Sequence, residues 1–284
     1  MPGAPVADAV LADVAERVAK LAAAGRKVGL ATVLVGDDPA SVSYVSRKHE
    51  ACERVGMVSI DVRVSADGSQ VDLLDAITQL NVDPAIDGYI IQHPVPEGFD
   101  FNQAVAAMDP AKDADGLHPT NLGLLALGER GTPRPCTPLG IQAMLLHYEI
   151  PVAGRRVVIV GRGPTLGRPL SILLSLKEPG ANAAVTVVHT GVPGWQGLTR
   201  EADIVVGAAG VPSIVTPDVI RPGSVVIGGG LTWEGRRALS DVDESSAEVA
   251  GWITPRLGGV GVTTVAMLLR NTVAAAELKA AAAR

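Results

Sequence analysis

Arg156-Val-Val-Ile-Val-Gly-Arg-Gly-Pro-Thr-Leu-Gly-Arg-Pro169 reads as a buried strand that turns into a helix start. Val157, Val158, Ile159 and Val160 form an uninterrupted β-branched run, and glycines at 161, 163 and 167 then turn the chain ahead of Pro169. A strand, a glycine turn and a helix N-terminus together make an anion site, because free backbone N–H groups and the helix dipole face the turn. Gly161 and Gly163 let backbone approach a pyrophosphate, and Gly167 lets helix pack closely on strand. The spacing, GxGxxxG, is one residue longer than the common dinucleotide fingerprint, so this stretch alone also fits a plain tight βα turn.

A second apolar run, Ala184-Val-Thr-Val-Val188, follows about 20 residues after the turn, where the next strand of a βαβ unit belongs. In NAD sites that strand usually ends in a carboxylate that holds the ribose hydroxyls. Here it ends in His189-Thr190, and Arg162 in the glycine loop offers charge-assisted hydrogen bonds to a 2′-phosphate. The pattern favours NADP over NAD; the alternative is that Arg162 is a solvated loop residue.

The 284 residues suffice for two domains with their own cores. Apolar residues make up 47% and aromatics only 3%, with 32 Gly and 20 Pro set between apolar runs, which is the pattern of an α/β protein. A net charge of −6 argues against a nucleic-acid partner, which calls for a basic surface. Two cysteines, Cys52 and Cys136, give no disulfide framework and fit a reducing compartment. The N-terminus lacks the basic start and apolar stretch of a signal peptide, and no apolar run nears the roughly 18 residues of a membrane helix. The expectation is a cytoplasmic protein.

Residues 6–24 repeat apolar side chains at helical spacing, with Val10, Val14, Val18 and Leu21 on one face, and Gly25 ends that helix. A strand at 28–35 leads through Gly36-Asp-Asp-Pro-Ala-Ser41 into a helix over 41–55, which Asp38 or Ser41 can cap. Strand 58–63, helix 70–80 and strand 87–92 follow, the last running into His93-Pro-Val-Pro96, which cannot continue a ladder. Residues 109–123 read as a loop rich in turn formers and carboxylates, and Pro135 opens a helix to about Tyr148. Beyond the βαβ unit, strands fall at 203–207 and 224–228, and a final helix starts at Thr263 and packs back on the first domain.

Tyr44 and Lys48, four apart, project from one helix face. Their Tyr-x-x-x-Lys spacing also marks short-chain dehydrogenases, but there it follows the glycine loop, whereas here it precedes it by more than 100 residues. A packing Tyr beside a surface Lys is the alternative reading. Clefts in open α/β sheets form at strand C-termini; Gln92 ends one strand and Asp115 lies in the loop that follows, so both can converge there with Lys48.

Taken in order, the motifs Val35-Gly-Asp-Asp-Pro-Ala-Ser-x-x-Tyr-x-x-x-Lys48, Gln92-x-Pro-x-Pro96, Lys112-Asp-Ala-Asp-Gly116, Pro135-Cys-Thr-Pro-x-Gly140, Gly161-Arg-Gly-x-x-x-Gly-x-Pro169 and Gly258-Gly-Val-Gly261 span nearly the whole chain. They resemble the bifunctional methylenetetrahydrofolate dehydrogenase/cyclohydrolase family. The resemblance implies two α/β domains, the second a Rossmann-type parallel sheet. Residues 1–135 with 263–284 would form the folate-binding catalytic domain, and 136–262 the NADP-binding domain. It implies Lys48 as the catalytic lysine, Gln92 as its hydrogen-bond partner, Asp115 as the anchor of the pterin ring and Tyr44 along the folate. NADP would meet Gly161, Arg162, Gly163, Gly167, Thr190 and Leu231; folate would also meet Pro96, Gly258, Gly259 and Val260. The implied chemistry is hydride transfer from a methylene carbon, then water addition to the methenyl product, with a partly desolvated lysine exchanging protons near neutral pH. No metal is implied, and the five His residues show no ligand spacing. A homodimer follows from the resemblance alone.

The chain departs from the family pattern at His93, where Leu is usual, and at Gly228, where Asp is usual. The usual Pro-Val-Pro-Gly-Gly-Val-Gly-Pro reads Pro255-Arg-Leu-Gly-Gly-Val-Gly-Val262, which removes two prolines and, with them, any cis bond at those positions. The leader before the first helix is largely absent. Arg256 reads as a new cation near the folate–nicotinamide contact. These departures leave two alternatives to the bifunctional enzyme: a divergent paralogue with dehydrogenase activity only or a specialised one-carbon role, or a non-catalytic folate- and NADP-binding protein.

Overall fold

In the computed structural model, which describes residues 1–235 and 237–282, helices and parallel strands alternate along the chain. The elements are α1 (Ala4–Ala23), β1 (Gly29–Val35), α2 (Pro39–Val55), β2 (Val58–Val64), α3 (Gln70–Val82), β3 (Gly88–Ile91), α4 (Phe101–Ala106), α5 (Pro119–Ala126), α6 (Cys136–His147), β4 (Arg156–Val160), α7 (Gly167–Ser175), β5 (Ala184–Val188), α8 (Trp195–Arg200), β6 (Ile204–Gly207), β7 (Val225–Gly228), β8 (Leu231–Glu234), β9 (Arg237–Ser240), β10 (Trp252–Ile253) and α9 (Val260–Ala282). The chain divides into two compact units.

One unit holds Asp8–Leu124, Glu129–Arg134 and the chain from Val265 onward. Its sheet has the order β2-β1-β3, all parallel. All seven residues of β1 are buried, as a central strand covered on both faces requires. The helices are set by local chemistry. Asp38 caps α2 by accepting from Ser41 N at 2.8 Å, Pro39 occupies the first turn, and Gly56 closes the helix at φ 77°. A capping box, Ser69 with Asp72, starts α3. The final helix returns to this unit: Asn271 Nδ2 donates to Ala114 O at 3.0 Å and Arg134 O at 2.9 Å, Lys279 Nζ to Pro84 O at 2.8 Å, and Arg17 pairs with Glu277 at 2.7 Å.

The other unit holds Met1–Ala7, Leu125–Gly128 and Pro135–Thr264. Its parallel sheet has the order β10-β7-β6-β4-β5. Along β4, Val157 and Ile159 enter one core with Ile204, Val206 and Ile227, while Val158 and Val160 enter a second with Val205 and Val226. Alternate residues point to opposite faces, so a strand buried on both sides needs the unbroken apolar run read from the sequence. Met1 belongs to the first of these cores, and its ammonium donates to Ile253 O at 2.5 Å.

The elements differ from expectation in places. Residues 109–123 are not all loop: a 3-10 turn occupies Pro110–Lys112 and α5 starts at Pro119. The last helix begins at Val260, before Thr263, since Gly258 at φ 72° completes the turn that Gly259 and Val260 follow into helix. The short α4, the antiparallel β8–β9 pair and the two-residue β10 lie below the length at which periodicity is readable.

Candidate active site

Within the first unit, the C-terminal ends of β1 and β3 face the same way, because the strands are parallel. The turn after β1 brings the chain into α2, whose half-buried Lys48 reaches back so that Nζ donates to Gln92 Oε1 at 2.7 Å. Gln92 is buried at the end of β3, and its Nε2 donates to His93 O at 2.7 Å. That second bond orients the amide and leaves the oxygen for the ammonium. The His93–Pro94 peptide is cis, and the His93 ring lies edge-on to Phe101 at 4.9 Å. Pro96 comes next to Gly36, so the two strand-end loops adjoin: a Cβ on Gly36 would lie 3.5 Å from Pro96 Cγ. Tyr44 is half-buried one turn before Lys48, with the Arg47 guanidinium 5.7 Å from its ring centre.

The Lys112-Asp-Ala-Asp-Gly116 segment runs alongside β3 in the same direction, through a bridge of Asp113 with Tyr89 and a bond from Ala114 N to Tyr89 O at 3.2 Å. Asp115 follows Asp113 by two residues as Ile91 follows Tyr89, which carries it toward the end of β3; its side chain is half-buried. Asp113 is the structural member of the pair. It is buried and accepts from Gly116 N at 2.9 Å, His118 N at 2.7 Å and Asn121 Nδ2 at 2.9 Å. His118 is likewise a loop organiser, its Nδ1 accepting from Thr120 N at 3.0 Å. Lys112 Nζ satisfies the last carbonyls around α3, Leu80 O and Asp83 O, at 2.8 Å each.

Within the second unit, a pocket of about 400 Å³ opens at the C-terminal ends of β4, β5 and β6. It brings together Gly161, Arg162, Gly163 and Thr190 as read from the sequence, and adds Arg168, His189, Ala208, Ala209, Val211 and Ile214. The glycines have distinct roles. Gly161 sits at φ 130°, and a Cβ there would lie 2.0 Å from Ala208 O. Gly167 is not in the pocket wall but behind it, where a Cβ would meet Gly161 O at 2.3 Å. Gly163 faces open space. Two exposed arginines and no carboxylate line the pocket, so the donor set suits an anion that carries more charge than a pyrophosphate alone. Leu231 opens β8 and does not line the pocket. The segment after β6 was missed by sequence reading; its signal was Ala208-Ala-Gly210 directly after a buried strand.

Arg256 is not a free cation. Its Nε donates to Glu244 Oε1 at 2.8 Å and its Nη1 to Ala238 O at 2.6 Å, which ties the loop after β10 to β9. Gly228 N donates to Thr254 Oγ1 at 2.8 Å, and a Cβ on Gly228 would lie 2.7 Å from Ser240 Oγ. Gly258 O accepts from Gly3 N at 2.7 Å, Gly259 packs on Pro255 O, and the Val260 side chain belongs to the core. Among the described residues, no group of three or more His, Cys, Asp or Glu is placed to hold a metal ion, and no helix is long and apolar enough to cross a membrane.

Comparison with known proteins places these features in one family. Residues 1–115 match the family model described as the tetrahydrofolate dehydrogenase/cyclohydrolase catalytic domain, and residues 135–280 match its NAD(P)-binding domain. The chain is 62% identical over 280 residues to the bifunctional protein FolD of Syntrophotalea carbinolica, covering 99% of this chain and 96% of that one. Among solved structures, the FolD methylenetetrahydrofolate dehydrogenase/cyclohydrolase of Campylobacter jejuni superposes with a TM-score of 0.92 at 35% identity, covering 98% of both chains. The Trypanosoma brucei enzyme, solved with NADP and an inhibitor, gives 0.92 at 34% identity over 99% of this chain and 97% of that one. Matched by both domain models and by relatives along its full length, the chain belongs to the tetrahydrofolate dehydrogenase/cyclohydrolase family.

Proposed function

We propose that the protein oxidises 5,10-methylenetetrahydrofolate with NADP and hydrolyses the 5,10-methenyl product to 10-formyltetrahydrofolate. The observation that carries this reading is the Lys48–Gln92 pair, a lysine nitrogen held at 2.7 Å by an oriented amide at the end of a parallel strand. The unit of Asp8–Leu124, Glu129–Arg134 and the chain from Val265 onward is the folate-binding part, and the unit built on β4–β7 is the NADP-binding part.

NADP, when bound, supplies the acceptor for the hydride that leaves the methylene carbon. Gly161, whose own N–H is donated to Val188 O at 2.8 Å, lets the turn come close to the pyrophosphate, Gly163 offers it open backbone, Gly167 packs α7 against the turn, and Arg162 with Thr190 and Arg168 meets the 2′-phosphate. Asp115 accepts from the donor edge of the pterin with its two oxygens, and Tyr44 and Pro96 lie along the folate. In the hydrolytic half, water adds to the methenyl carbon. With Lys48 as the neutral amine, Nζ takes the first proton of the added water and, now the ammonium, gives it to N5 as the C–N5 bond breaks, while the hydroxyl proton leaves to solvent as the carbonyl forms and the formyl group stays on N10. Gln92 keeps the amine aimed during both transfers.

The setting we infer is a cytoplasmic homodimer acting on small folates, without nucleic-acid or membrane partners. The test is a two-step assay with methylenetetrahydrofolate that follows NADPH formation and methenyl decay separately. Both steps with NADP support the bifunctional reading. Accumulating methenyl product would restrict the protein to dehydrogenation, and two bound ligands without turnover would make it a binder.

A further inference from the structure

The segment that follows β6 forms one wall of the dinucleotide pocket through Ala208, Ala209 and Val211. Ala208 N still belongs to the sheet, donating to Val160 O at 2.8 Å. The next two N–H groups have run past the end of β4 and need another acceptor. Asp241, on the turn after β9, supplies it: its Oδ2 accepts from Ala209 N at 2.6 Å and Gly210 N at 3.0 Å. Gly210 adopts φ 65°, which turns both N–H groups toward one oxygen.

The surroundings are shaped around this carboxylate. Asp241 is fully buried, its N donates to Gly230 O at 3.2 Å, and its O accepts from Val215 N at 2.9 Å. A Cβ on Gly230 would lie 2.2 Å from Oδ2, and a Cβ on Gly207 would lie 2.7 Å from the Asp241 Cβ. The held segment in turn touches the glycine turn, since Ala208 O and Ala209 N are what leave no room for a Cβ at Gly161. Burial raises the Asp241 carboxyl above the usual carboxylate range while the backbone donors oppose that rise. Either protonation state presents an oxygen to both N–H groups.

We propose that Asp241 is a positioning residue for dinucleotide binding, fixing the Ala208–Val211 wall through the N–H groups of Ala209 and Gly210. The inference rests on the NADP reading of the pocket. It is tested on the full chain with Asp241→Ala, Asp241→Asn and Gly230→Ala, by calorimetric titration with NADP and by amide hydrogen exchange of the 205–212 segment without ligand. Both donors bond one oxygen, so Asn retains the acceptor: NADP affinity stays within about 3-fold of wild type, while Ala weakens it at least about 10-fold. The Ala209 and Gly210 amides exchange faster in the Ala variant and stay protected in Asn. Gly230→Ala, which displaces a carboxylate still present, repeats the Ala result and decides the matter if Asp241→Ala does not fold. Wild-type affinity and protection in Asp241→Ala overturn the proposal, as does an Asn variant as weak as Ala. If the wild type fails to bind NADP, the functional reading falls, while the exchange comparison still decides whether Asp241 holds the segment.

Discussion

Lys48 Nζ and Gln92 Oε1 meet at 2.7 Å, although the two residues lie 44 positions apart on a helix and at a strand end. The bond has a fixed polarity, because Gln92 Nε2 is already committed to His93 O. The amide thus keeps its oxygen, not its NH2, toward Lys48. The relationship therefore orders a proton-carrying group rather than merely covering it.

Lys48→Met tests the role directly. Methenyl hydrolysis should fall by about 10²–10⁴, the usual share of a positioned acid–base group. Affinity for NADP should stay within about 2-fold, as a change confined to the unit that holds α2 costs the cofactor no more than about 0.4 kcal/mol. A collapse of NADP affinity in calorimetric titration would contradict the assignment of separate roles to the two units.

Arg162→Ala probes cofactor choice. Loss of a charge-assisted hydrogen bond is worth about 1.5–3 kcal/mol, so affinity for NADP should drop at least about 10-fold. NAD lacks the 2′-phosphate and should be affected by no more than about 2-fold, a few tenths of a kcal/mol. Equal losses for both cofactors would move the phosphate contact to Arg168, which lines the same pocket.

What was legible in the sequence follows from range. Residues 157–160 declared a doubly covered strand, because burial on both faces leaves a continuous apolar run. Lys48 and Gln92 were read as hydrogen-bond partners at the end of β3, and the structure joins them. The loop at 109–123 was half-read: its turn formers were visible, but the Asp113 carboxylate that gathers Gly116, His118 and Asn121 into the start of α5 acts through space. Arg256 looked like a free charge because Glu244, its partner, lies 12 residues away with no periodicity linking them. Asp241 gave no signal, since its partners at 209 and 210 precede it by some thirty positions and declare themselves only once β6 and β9 are folded.

Gly228 is held as glycine by Ser240. A Cβ at 228 falls 2.7 Å from Ser240 Oγ, itself engaged as acceptor for Val242 N at 3.1 Å. Gly228→Ala should destabilise by about 1–3 kcal/mol through overpacking. Adding Ser240→Gly removes the clashing hydroxyl and should recover at least half of that loss in a double-mutant cycle read by urea unfolding. Strict additivity of the two substitutions would show that the strain lies elsewhere.

Asp203 ties the starts of three strands together and sets an acid limit on them. Its carboxylate accepts from Arg156 N at 2.8 Å and from Arg221 Nη2 at 2.8 Å, and its O accepts from Val225 N at 3.0 Å. The Arg156 backbone bond is the largest influence and lowers its carboxyl; burial, next in size, opposes it, and the Arg221 guanidinium adds to the lowering, so the carboxyl sits below the usual carboxylate range. A carboxyl that titrates lower in the folded chain than in the unfolded one contributes its full stability above the unfolded value, about 3.9, and loses it as pH falls through the folded value. Asp203→Asn keeps an acceptor for Arg156 N but removes the charge. Urea midpoints for the two proteins should therefore differ at pH 7 and converge as the pH falls below the usual carboxylate range. A gap that stays constant across that range would mean that Asp203 acts through packing alone, and that its ionisation has no part in holding β4, β6 and β7 together.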